Sequence, residues 1–145
     1  MQKMQFSIEI EAPSEKVWQT LWEDKTFRDW GSIIDEGQYM VGELAEGNEV
    51  QFISSENGLG VTSFVEKLIP NKYLALRQVA DTMDSGKEVR DKEWTGGTES
   101  FELTEKNGIT NLTVKIDVPP GLEEIFAERF PKALERVKIL AEKKK

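Results

Sequence analysis

Residues 109–141, ITNLTVKIDVPPGLEEIFAERFPKALERVKILA, hold the two patterns on which the fold turns. Up to Val118 every second residue is apolar. Leu112, Val114, Ile116 and Val118 alternate with Thr113, Lys115 and Asp117, the period of a strand with one face buried. Pro119-Pro120-Gly121 then breaks the strand, since proline brings no amide to a sheet partner. From Leu122 onward the period becomes helical. Leu122, Ile125, Phe126, Phe130, Ala133, Leu134, Val137, Leu140 and Ala141 fall on one apolar stripe. Pro131 lies inside that stripe without an amide to donate, so a kink or break is expected near residues 127–130.

Working back from this stretch, the chain opens on another clean alternation. Met4, Phe6, Ile8 and Ile10 are apolar and Gln5, Ser7, Glu9 and Glu11 polar, which predicts a half-buried strand stopped by Pro13. Ser14 is placed to cap a helix in which Val17, Leu21 and either Trp18 or Trp22 share a face. Asp24 is placed to cap a second short helix carrying Phe27 and Trp30 and ending at Gly31. From residue 38 to 118 short apolar runs alternate with turn signals. They are residues 39–41, 50–53, 61–69, 73–79, 94–103 and 109–118, with turns at Glu56-Asn57-Gly58, Pro70-Asn71-Lys72 and Lys106-Asn107-Gly108. Residues 81–92 are charged and contain Gly86, and read as the longest loop. The order of elements predicts an α+β chain forming a single domain over residues 1–145. Its curved antiparallel sheet of six to seven strands wraps around a long C-terminal helix, with two short helices after the first strand. The space between sheet and long helix is a natural place for a cavity.

Composition removes much chemistry. The 145 residues include no cysteine and no histidine, so thiolate nucleophiles, disulfides, Cys/His zinc sites and imidazole acid–base catalysis are all excluded. No pair of acids has a spacing that argues for catalysis, and no catalytic residue is assigned. Asp81, Asp84, Gly86 and Glu88 superficially resemble a calcium loop but lack its ligand spacing, and neither Gly58-Leu59-Gly60 nor Gly96-Gly97 precedes a helix start or a phosphate-binding lysine. No metal or cofactor is expected. Net charge is −8, and it is uneven: residues 1–118 carry 22 acids against 12 bases, residues 119–145 carry 5 against 7. An acidic body repels phosphate backbones, so nucleic acid is not an expected partner. Lys143-Lys144-Lys145 complements the dipole of a helix C-terminus. No apolar run approaches the ~20 residues of a membrane span, and residues 1–5 lack a secretion signal's apolar stretch, so a cytoplasmic protein is expected.

Several stretches carry a family resemblance. They are Ile8-Glu9-Ile10-Glu11-Ala12-Pro13-Ser14-Glu15-Lys16-Val17-Trp18, Asp29-Trp30, Gly60-Val61 with Glu66-Lys67-Leu68-Ile69-Pro70, Gly97-Thr98-Glu99-Ser100-Phe101-Glu102-Leu103, and Ala133-Leu134-Glu135-Arg136-Val137-Lys138. Through them the chain resembles the START-like (SRPBCC, helix-grip) superfamily, and within it the branch of homologues of the heat-shock-protein ATPase activator. The resemblance implies an apolar cavity between sheet and long helix, used by different members for lipids, sterols, polyketides, hormones or protein partners. Some members are cyclases or aromatases. Arg77 departs from the branch, many of whose members carry tryptophan there.

The expected cavity wall is Phe52, Phe64, Leu76, Trp94, Phe101, Phe126, Phe130 and Leu134, the alternative being that these residues close a dry core. Tyr39, Arg77 and Glu99 are the polar groups that strand parity allows inward, as anchors for a ligand, the alternative being the convex surface. The expected function is therefore binding of a small apolar molecule (a lipid, polyketide or aromatic metabolite). The alternatives are a module that binds a chaperone or other protein and regulates a chaperone ATPase, and a cyclase- or aromatase-like enzyme. Without histidine or cysteine, binding is favoured over chemistry.

Overall fold

A computed structural model describes residues 1–83 and 94–143. In chain order it holds β1 (Gln2–Ile10), α1 (Ser14–Trp22), α2 (Asp24–Ile34), β2 (Gln38–Val41), β3 (Glu49–Ser54), β4 (Leu59–Ile69), β5 (Tyr73–Met83), β6 (Thr98–Lys106), β7 (Ile109–Val118) and α3 (Glu123–Glu142). The strands form one antiparallel sheet in the order β1-β7-β6-β5-β4-β3-β2, and α3 lies against β1, α1 and α2. This is the α+β helix-grip arrangement read from the sequence. The proposed loop over 81–92 gives its first three residues to β5, and the rest of it, with Asp84, Gly86 and Glu88, lies outside the described residues.

Turn chemistry sets most strand boundaries. Asn71 (φ 67°), Asn107 (φ 55°) and Gly108 (φ 78°) adopt the left-handed conformation that tight reversals need. Asn57 Oδ1 accepts the Leu59 amide at 2.9 Å, steadying the β3–β4 turn. Trp94 to Gly97, expected to open a strand, instead forms a turn in which the Gly97 amide donates to Trp94 O at 3.0 Å, and β6 starts at Thr98.

Helix boundaries differ from expectation at Ser14, Asp24, Gly31 and Pro131. Ser14 and Asp24 make no capping bond. The Ser14 amide donates to a Glu105 carboxylate oxygen at 2.7 Å, and Asp24 pairs with Arg28 at 2.9 Å. α2 continues past Gly31, which is buried with an ideal Cβ position only 3.3 Å from the Gln38 amide, so this glycine serves close packing rather than termination. The break expected before Pro131 does not occur, and α3 runs through it. Pro131 and Ala127 both face solvent, so water can bond the Ala127 carbonyl that the proline leaves without a donor.

The core lies between the concave face of the sheet and the three helices. Ile10, Val50, Val65, Leu74, Leu76, Phe101, Leu103, Leu112, Val114 and Val118 meet Val17, Leu21, Phe27 and Trp30 and the α3 stripe Phe130, Ala133, Leu134, Val137 and Ala141. Ile125, expected on that stripe, is exposed. Polar contacts hold α3 along its length. Arg129 donates to Ile34 O at 3.0 Å, Arg136 grips Asp29 through two bonds of 2.7 and 2.9 Å, Lys138 reaches Glu9 O at 3.3 Å, and the Glu142 carboxylate accepts the Glu11 amide at 2.7 Å. The Arg136 bonds hold the Asp29 carboxyl below its usual range, and Lys138 with the Glu11 amide does the same for Glu142.

Backbone spacing between β3 and β4 depends on Gly60. A Cβ built there would lie 2.0 Å from Phe52 O and 2.8 Å from the Ile53 Cα, both rigid strand atoms. Gly60→Ala is therefore expected to cost about 3 kcal/mol, through separation of the two strands. Chemical denaturation checks it, and a midpoint equal to that of the unsubstituted chain refutes the close approach.

Candidate functional site

A cavity of about 250 Å³ lies beneath the N-terminal half of α3. Strand alternation supplies its floor. Phe52 on β3, Val61 on β4, Gln78 on β5, Glu99 and Phe101 on β6, and Ile116 on β7 all face it. Phe126 and Phe130, one helical turn apart, form the roof. Trp22 closes the side from α1, with Phe27, Trp30 and Ile34 from α2, and Trp94 completes the wall. The aromatic rings pack on one another rather than into the space. Trp22 meets Phe101 edge-on at 4.9 Å, Phe27 lies 5.7 Å from Phe52, Trp94 lies 5.4 Å from Phe126, and Phe6 stacks on Phe130 at 4.9 Å. Their mutual support keeps the wall apart where smaller side chains would collapse.

The polar groups on this wall are few. Gln78 is held by its backbone, its amide donating to Gly97 O at 2.9 Å and its carbonyl accepting from Gly96 at 2.8 Å. Its side-chain oxygen accepts a short hydrogen bond from the Ser63 hydroxyl, which leaves the amide nitrogen to donate to Glu99. Glu99 lies in register between Leu76 and Ile116, both buried. Some of the residue remains reachable through the cavity, yet apolar enclosure pushes its carboxyl up to about 7 despite the opposing Gln78 bond. Asp35 lines the cavity at the end of α2, and its carboxyl is raised by burial, with Arg129 pulling the other way. Trp30 donates its indole N–H to Leu21 O at 3.1 Å, whereas the Trp22 indole Nε1 is buried with no hydrogen-bond partner among the described residues. Glu99 and Asp35 are thus the acids of a largely aromatic and aliphatic wall, with Gln38, Asn57 and Gln78 as its amides.

The structure brings together five of the eight expected wall residues, Phe52, Trp94, Phe101, Phe126 and Phe130, and one of the three expected anchors, Glu99. Leu76 and Leu134 are fully buried in the core behind the cavity. Phe64, Arg77 and Tyr39 are placed differently. Phe64 and Arg77 are register partners across β4 and β5 on the convex face, with the guanidinium 5.3 Å from the ring centroid. Arg77 pairs there with Glu66 at 3.1 Å rather than with Glu99, because Leu76 and its neighbour Arg77 cannot both face inward on one strand. Tyr39 lies under the Arg28 guanidinium at 5.1 Å, while its neighbour Met40 takes the inner side. Sequence reasoning missed Trp22, Phe27, Trp30, Asp35 and Gln78. Gln78 was accessible to it, sharing parity with Leu74 and Leu76. The α2 residues were not, because the helical period shows an apolar face without showing what that face meets.

No family model and no curated protein matches the chain. Solved structures do. The Aha1 dimer from Colwellia psychrerythraea is 23% identical with a TM-score of 0.70, over 98% of this chain and 97% of that one. Protein CV1439 from Chromobacterium violaceum is 14% identical with a TM-score of 0.71, over 98% of each. CalU16 from Micromonospora echinospora is 15% identical with a TM-score of 0.66, over 96% of this chain and 75% of that one. Identities of this size speak to the fold rather than to activity. A curled seven-stranded antiparallel sheet closed by one long C-terminal helix, shared with these proteins over nearly the whole chain, gives this protein the helix-grip fold.

Proposed function

We propose that this chain binds a small, largely apolar molecule in the cavity between its sheet and α3. The observation that carries this reading is the cavity itself, walled by Trp22, Phe27, Phe52, Phe101, Phe126 and Phe130 between the sheet and the helices. The cavity's size supports the reading. At the ~0.74 packing density of protein interiors, 250 Å³ accommodates about a dozen non-hydrogen atoms, the scale of a one- or two-ring metabolite rather than a long-chain lipid. No helix among the described residues is long and apolar enough to cross a membrane.

Titration with a panel of neutral aromatic metabolites, polyketide fragments and lipids, followed by amide NMR, is expected to give saturable shifts at Phe126 and Phe130. The Trp22 indole resonance should shift as well, since its ring lines the cavity. Shifts that do not saturate, or that spread over the convex face, count against the reading. The likeness to the Aha1 dimer favours a second reading, a module that docks on a chaperone and regulates its ATPase. It requires that the chain change the ATPase rate of a chaperone in a concentration-dependent way, and an unchanged rate at saturating chain removes it.

Glu99 also sets a pH dependence of stability. Its folded carboxyl lies near 7, above the ordinary value of 4.5, so the unfolded chain releases this proton first as pH rises. Its contribution is fully present below about 4.5 and is lost as pH climbs through about 7. The loss is at most ~3 kcal/mol, reduced by whatever solvent reaches the carboxyl through the cavity. Glu99→Gln is expected to flatten the pH 5–8 limb of the Tm profile and raise Tm at pH 8. An unchanged limb in the variant shows that another group titrates.

A further inference from the structure

We propose that the molecule this cavity selects is an apolar amine, bound as its ammonium form, with Glu99 as the counter-ion. The inference rests on the small-ligand reading above and adds the chemistry of the group at the ligand's polar end.

Three independent features converge on a cation. The first is the sign of the wall. Among the described residues that line the cavity, Glu99 and Asp35 are acidic and none is lysine or arginine. Arg129, the cation beside Asp35, reaches it from the outer side of α3, where it donates to Ile34 O. Asp81, on β5 next to Gln78's end of the strand, is engaged by the Trp94 and Thr95 amides at 3.2 Å and brings no positive charge. A carboxylate ligand would therefore meet two acids in an apolar enclosure, an arrangement that disfavours its charged form strongly.

The second feature is how Glu99 is presented. Ser63 donates to the Gln78 side-chain oxygen, so the Gln78 nitrogen is left for Glu99, and Gln78 is the side-chain donor to Glu99 among the described residues. A carboxylate offers about four lone-pair sites, so most of its accepting capacity remains for a ligand. An ammonium group fills that capacity with three donors while neutralising the charge that apolar surroundings penalise.

The third is the wall itself. Trp22, Phe27, Phe52, Phe101 and Phe126 line one space, and a cation over the face of an aromatic ring is attracted by its quadrupole. Outside the cavity, the net charge of −8 raises the local concentration of cations.

The test uses three probes of nearly one shape: 2-phenylethylamine, 2-phenylethanol and 3-phenylpropanoate, titrated at pH 8 by calorimetry against the full chain. The amine is expected to bind at least ~10-fold more tightly than the alcohol, and the carboxylate weakest. Glu99→Gln should bring the amine down to the alcohol's affinity while leaving the alcohol within about 2-fold. In the unsubstituted chain the amine's advantage over the alcohol should shrink several-fold between pH 8 and pH 5.5, as Glu99 takes up its proton, so the inference is testable even if the variant does not fold. Equal binding of amine and alcohol, or an advantage that survives Glu99→Gln or does not change with pH, overturns the amine assignment and leaves the small-ligand reading standing. Tighter binding of the carboxylate does the same. If none of the three binds at millimolar concentration while the broader panel does, the assignment alone fails. If nothing in either set binds, both fall together.

Discussion

One long helix has to cover a seven-stranded sheet, and the rest of the molecule follows from how incompletely it can do so. The stripe Ala133, Leu134, Val137 and Ala141 seals the sheet near β1 with small and branched side chains that let helix and strands approach closely. Toward the helix N-terminus the residues are larger. Phe126 and Phe130 lean on Trp94 and Phe6, and α2 with Trp22 fills the flank from the side. Rings cannot pack as tightly as alanine and valine on a curved floor, so the same helix that closes the core at one end leaves a chamber at the other.

Placing Glu99 in that chamber runs against stability, since an alanine or leucine would suit the surrounding Leu76 and Ile116 better. The supporting arrangement is specific: a serine orients a glutamine, and the glutamine orients the acid. A chain that needed only a filled interior would have no use for such a relay. Asp29 and Arg136 do a different job on the outside, locking α2 to α3 so that the chamber's roof and side wall keep their spacing.

Much of this was legible in the sequence because it rests on period. The alternation of Met4, Phe6, Ile8 and Ile10 and of Leu112, Val114, Ile116 and Val118, and the 3.6-residue spacing of the final helix, each specify one buried face, and together they give sheet and cover. Parity also left Arg77 and Tyr39 open between the two faces and set Phe64 on the inner one, because an apolar or amphipathic residue does not reveal which side of a strand it occupies when its neighbours are equally apolar. The register shifts at Thr62/Ser63 and Val65/Lys67 add to this, since each resets the alternation along β4 without a mark in the composition. Trp22 and the α2 residues entered the site only through tertiary packing, which no local pattern encodes.

The position of β1 has a consequence for the making of the protein. Its partner in the sheet is β7, with Gln2 opposite Val118 and Ile10 opposite Thr110. On a ribosome adding about 5–20 residues per second, the first strand waits several seconds for the strand it must join. During that interval Met4, Phe6 and Ile8 have no sheet to bury against, and the hairpins of β3 to β6 assemble first from local contacts. The helix that roofs the chamber comes later still, so the floor exists before the room does. The alternating Gln5, Ser7 and Glu9 then have a second use beyond marking the outer face: they keep a strand that must stay single during synthesis from pairing with its own kind.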